Sequence, residues 1–122
     1  MKLLLKITGL LFALALTAST ASAGKPIPLC AGPVTMAIDA DNVFLRCVRV
    51  GEHEVLRAIN APIRDQNWST VAPKNLKVDD GGDHFRVTFD VRCAQADIDF
   101  RCKRSITGTA KGVLEFTFQH SN

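Results

Sequence analysis

The sequence predicts an all-β fold: a small disulfide-stapled β-sandwich or partly open barrel of about six to eight antiparallel strands. Three observations lead there. In HFRVTFDVRC, Phe85, Val87, Phe89, Val91 and Cys93 share one face, while Arg86, Thr88, Asp90 and Arg92 share the other. Strict period-two alternation marks a strand with one buried face. Turn-forming clusters recur between short apolar runs, and no segment carries a 3.6-residue period. Finally, the chain holds four cysteines, an even count that reads as two disulfides in a small exported domain.

The first 23 residues are read separately. Lys2 and Lys6 make a charged start, Leu10 to Leu16 an apolar centre, and Ala21-Ser22-Ala23 a small-residue cleavage site. That is the layout of a secretory signal, and its apolar run is shorter than the about 20 residues a membrane span needs. The expected arrangement is a cleaved signal over 1–23 and one secreted or periplasmic β domain over 24–122. Removing 23 of 122 residues leaves 99, enough for a thin core. Loss of Lys2 and Lys6 reduces Lys+Arg from 15 to 13 against 12 Asp+Glu, so the net charge falls from +3 to +1. Such a balance supplies no argument for nucleic acid or an anionic membrane as partner.

The elements follow in order. Pro26 and Pro28 make residues 25–28 an extended lead-in. VTMAID (34–39) alternates, DADN (39–42) turns, and VFLRCVRV (43–50) is a β-branched, aromatic run ended by Gly51. EVLRAIN (54–60) reads as a third strand, with a short helix as the alternative. Residues 62–75 are irregular and contain Trp68. NLKV (75–78) is a short strand and DDGGD (79–83) a turn. The strand over 84–93 is followed by IDFRC (98–102), with Ile98, Phe100 and Cys102 inward and Asp99, Arg101 and Lys103 outward. SITGTAKG (105–112) reads as a loop or bulged segment. VLEFTFQ (113–119) closes the domain.

By parity, Cys47, Cys93 and Cys102 fall with core residues, as structural sulfurs would. The spacings of 17, 46 and 9 from Cys30 through Cys47 and Cys93 to Cys102 do not suit zinc, which favours tight pairs. A tight hairpin over 94–101 places Cys93 opposite Cys102. Crossed pairings, 30–93 with 47–102 or 30–102 with 47–93, are slightly favoured, because a DADN hairpin leaves Cys30 out of register with Cys47. The layout from Cys30 through a hairpin to Cys47 and VGEHEVLRAI resembles the small secreted fungal effectors built on the six-strand MAX sandwich. That resemblance implies a disulfide-pinned sandwich.

No nucleophile–base, phosphate-loop or metal-protease motif is present. His53, His84 and His120 stand outside any motif, with His84 read as a solvated loop residue. The acidic turns match no calcium-loop spacing. Asn67-Trp68-Ser69 fits a glycosylation sequon. Arg92, Arg101, Lys103 and Arg104, with Arg46 and Arg49, are candidates for a basic patch on an outer sheet face. A register placing Arg92 opposite Lys103 would set like charges together. Neutralisation by Asp90, Asp97 and Asp99 is the competing reading. Trp68 is either an interface anchor or a lid on the core.

The expected function is therefore a non-enzymatic protein-binding protein: an inhibitor, immunity protein or host-directed virulence effector. Its binding residues would be Trp68, Arg92, Arg101, Lys103 and Arg104. A small-ligand or lipid carrier is the alternative, and an enzyme ranks third. No cofactor, metal, nucleic acid or membrane span is expected, and the domain is expected to be a monomer.

Overall fold

The computed structural model describes residues 24–121; the expected signal segment lies outside them. Eight strands fold in chain order: β1 Ile27–Ala31, β2 Val34–Asp39, β3 Phe44–Val50, β4 His53–Ile59, β5 Lys74–Asp80, β6 Phe85–Gln95, β7 Ile98–Gly108 and β8 Leu114–Ser121. They form two separate antiparallel sheets, β1-β2-β3-β4 and β5-β6-β7-β8. The fold is all-β, and the barrel alternative is not realised. Its two four-stranded sheets do not correspond to the six-strand layout of the effector resemblance.

The alternating residues meet between the sheets. Leu29, Met36, Ile38, Leu45 and Val48 from the first sheet, and Phe85, Val87, Phe89, Val91 and Ile106 from the second, are buried. Each fully buried aliphatic side chain contributes about 1.5–3 kcal/mol relative to exposure. Ile27 and Pro28, the second half of the lead-in read over 25–28, belong to β1, which is paired along β2. β7 runs on through residues read as a loop, ending at Gly108 opposite Phe85. A Cβ there would collide with the Phe85 ring, so the glycine leaves room for the aromatic cover.

Parity fails within β3. β2 pairs Ala37 with Arg46 but Thr35 with Arg49, so β3 carries an extra residue. Cys47 occupies this bulge with φ 52, in the left-handed region. Beyond it the inward residue is Val48, and Cys47 is exposed. Cys30 lies beside core-facing Leu29 and Ala31 on β1, so alternation turns it outward. These placements do not suit sheet-to-sheet bridges, and all four cysteines are free in the structure.

At its far end β6 turns into β7 through Ala96 and Asp97 only, with Gln95 paired to Ile98. That register sets Cys93 opposite Phe100 and Cys102 opposite Val91, not the two cysteines opposite each other. It also sets Arg92 opposite Arg101, and Lys103 opposite Asp90.

Candidate functional site: an arginine in an aromatic cleft

Three strands of the second sheet carry residues of one face in a row: Phe89 on β6, Arg104 on β7 and, half exposed on the edge strand, Phe118 on β8, each directly paired with the next. Arg104 does not belong to an outer basic patch: its parity matches Phe100, Cys102 and Ile106, and the structure turns it inward. It is 8% exposed, the one charged residue in the buried set among the described residues. Its guanidinium carbon lies 4.2 Å from the Phe118 ring centroid and 5.8 Å from that of Phe89. Such stacking favours a flat cation over an aromatic face. Burial pulls the Arg104 pKa below its ordinary value.

Arg104 lines a narrow cleft whose cavity volume is about 30 Å³, open to solvent at its mouth. Across it stand the start of β3, the end of β4 and the segment that follows, including Asn42, Asn60 and Thr70. One cleft residue, Val43, holds φ 56, which a β-branched side chain adopts only at a cost of about 1–3 kcal/mol. Its amide donates to the Asp39 carbonyl at 2.7 Å, and the Phe44 amide donates to Asn42 Oδ1 at 3.0 Å. These bonds hold the corner in place.

The other expected binding residues do not gather around this cleft. Arg92 and Arg101, on the outer face, share Asp99. Arg92 donates to both Asp99 oxygens at 2.9 and 3.0 Å, and Arg101 donates to Oδ2 at 2.9 Å. These bonds, Arg92 first, hold the Asp99 carboxyl well below the usual carboxylate range. One carboxylate therefore offsets much of the opposed pair, and the free basic patch is withdrawn. Lys103 also faces outward, paired with Asp90. Trp68 is 79% exposed, which excludes the core-lid reading. It tops a turn in which Asp65 Oδ1 accepts from the Asn67 and Ser69 amides. The Gln66 amide donates to Gln95 Oε1, which ties this turn to the β6–β7 end.

His84 is exposed, as expected, with Nδ1 2.7 Å from Asp83 Oδ1. That contact lowers the Asp83 pKa. His120 stacks on Phe100 with centroids 5.3 Å apart and lies opposite Cys102. Among the described residues no three His, Cys, Asp or Glu side chains converge as metal ligands.

The class defined by fold and site is thus a two-sheet β domain with an arginine-bearing cleft between its layers. The family is shown by comparison: residues 14–122 match the profile of the D-apionate lactonase N-terminal domain, and the chain belongs to that family. The match begins inside the segment read as a signal. The chain is also 35% identical over 75 residues to a D-apionate lactonase of Brucella anthropi. That alignment covers 60% of this chain and 12% of the relative's length. No solved structure matches.

Membership in an enzyme family overturns the expected function. The non-enzymatic inhibitor, immunity-protein or effector reading falls, and the carrier alternative falls with it. The match runs over residues 14–122, and none of the short catalytic motifs sought in the sequence lies within it.

Proposed function

We propose that this chain takes part in the hydrolysis of a sugar lactone, as the N-terminal domain of an enzyme of the D-apionate lactonase kind. The observation that supports this is the family match over nearly the whole chain, residues 14–122. The cleft beside Arg104 is the part of the domain suited to meet a small polar ligand, because apolar walls and a few polar groups converge there. Ring opening of a lactone releases an acid, so a pH-stat follows it directly. The chain would be assayed on the lactone of D-apionate, alone and together with the remainder of a D-apionate lactonase. Acid release above the spontaneous rate in either arm supports the reading; a spontaneous rate in both overturns it.

An exported location is part of the proposal, supported by the signal-like layout of residues 1–23. So is a disulfide staple, in revised form. Cys93 and Cys102 share the inner face of adjacent strands two pairs apart, a diagonal of about 7–8 Å, so a backbone shift would be needed to bring them within bridging range. Cys30 and Cys47 stand on strands separated by β2, about 10 Å apart on strand spacing alone. Thiol titration of protein isolated from an oxidising compartment is expected to count two free thiols, Cys30 and Cys47; four would remove the staple.

A further inference from the structure

The Arg104 guanidinium is nearly buried and electrically uncompensated. No carboxylate lies within ion-pair distance of it among the described residues, although Arg46, Arg49, Arg57, Arg92 and Arg101 all have one. The arginines whose side chains donate hydrogen bonds are Arg64, Arg92 and Arg101. Yet no side-chain nitrogen among the described residues is both fully buried and without a partner. The Arg104 nitrogens therefore keep an opening; Arg104 lines both the cleft and a hollow shared with Arg86, Lys103 and Thr117, and its inward parity directs the side chain to the cleft. Its carbon lies within cation–π distance of the Phe118 and Phe89 rings, which offer no hydrogen-bond acceptor in the ring plane, so its N–H groups remain for a ligand. A planar guanidinium whose N–H groups have no partner matches a carboxylate bidentately. Burying a charge without a partner is costly, and an anion in the cleft removes that cost.

We propose that Arg104 is the carboxylate anchor of a binding site for a small hydroxy acid, with Asn60 and Thr70 across the cleft as candidates for its hydroxyl groups. The choice of a sugar acid rests on the lactonase reading, since opening a lactone turns a neutral ring ester into a carboxylate. The proposed site would thus hold the ring-opened acid in preference to the lactone. Arg104 is here a binding residue, and no bond-making step is assigned to it.

The test is calorimetric titration of the full chain with D-apionate, with the neutral lactone and with acetate, in the native protein and in Arg104→Met, Arg104→Lys and Arg57→Met. Met keeps the apolar stem and removes the charge. Lys keeps the charge without the flat fork. The expected result is D-apionate binding weakened at least about tenfold in Arg104→Met and partly in Arg104→Lys, with Arg57→Met unchanged. Lactone binding is expected to be weaker and indifferent to Arg104. The melting temperature of Arg104→Met is expected to hold or rise, because an uncompensated charge has left the interior. Undetectable acid binding, or equal affinity in Arg104→Met, overturns the proposal. Acetate binding as tightly as D-apionate overturns the hydroxy-acid assignment. A lowered melting temperature with no acid effect makes the aromatic stack structural and overturns the site. Lost acid binding with intact lactone opening sinks only this inference; the reverse sinks only the lactonase reading.

Discussion

A single carboxylate decides the character of the outer basic face. Asp99 is bonded to two arginines that would otherwise oppose each other across β6 and β7. Asp99→Asn is expected to lower the melting temperature modestly at pH 7, and less at high salt, because these groups are exposed and screened. The sign with pH follows from the shift. The folded carboxyl titrates below its unfolded value of about 4, so its contribution is complete above that value and is lost as pH falls through the folded one. The native and Asn melting curves should therefore differ at pH 7 and converge in strong acid. A difference that persisted in acid would mean the amide disturbs something other than the ion pairs. Cysteine reactivity is also a residue-level matter. With a thiol reagent, reduced protein should label first at exposed Cys47 and last at buried Cys102. Reversal of that order would contradict the bulge.

At the element scale, the clearest consequence comes from the Phe85–Gly108 pair. Gly108→Ala must displace an aromatic ring that is 2% exposed, so its expected cost is about 1–3 kcal/mol, read by urea denaturation. Leu45→Ala, in the strand just before the bulge, should cost about 2–5 kcal/mol, since Leu45 is fully buried. The strand identities were legible from alternation: VTMAID is β2 to the residue, and the HFRVTFDVRC pattern runs unbroken through β6. Cys47 was not legible. A bulge inserts one residue without changing composition, so parity counting carries Val43 and Leu45 forward to the wrong partner. Arg104 was legible in principle, two residues beyond Cys102 on the same face, but its charge argued for the surface.

Across the whole molecule, stability should be uneven. β6 and β7 pair along eleven residues, and each has a neighbour on its other side. β4 is an edge strand whose residues from His53 to Arg57 are all exposed, Val55 and Leu56 among them. Amide hydrogen exchange is expected to be slowest in β6 and β7 and fastest, among the strands, in β4. Equal protection throughout would mean that the two sheets open as one unit. The sheets are tied at one end by the β1–β2 turn, where the Gly32 amide donates to the Asp83 carbonyl at 2.7 Å with φ 55. Any side chain at Gly32 would meet the Ala110 carbonyl, so Gly32→Ala should loosen both turns together.

Local chemistry alone determined that this chain is all-β, where most strands run and which apolar residues form the core. Alternation and turn propensity act between near neighbours, so they can be read in one dimension. Pairing of strands decided the rest. The two-residue turn at Ala96–Asp97 set Arg92 against Arg101, the bulge at Cys47 reversed a face, and the register of β6, β7 and β8 placed Arg104 between Phe89 and Phe118, with a cleft before it. Each of these depends on register between residues on different strands, which spacing along one strand does not encode.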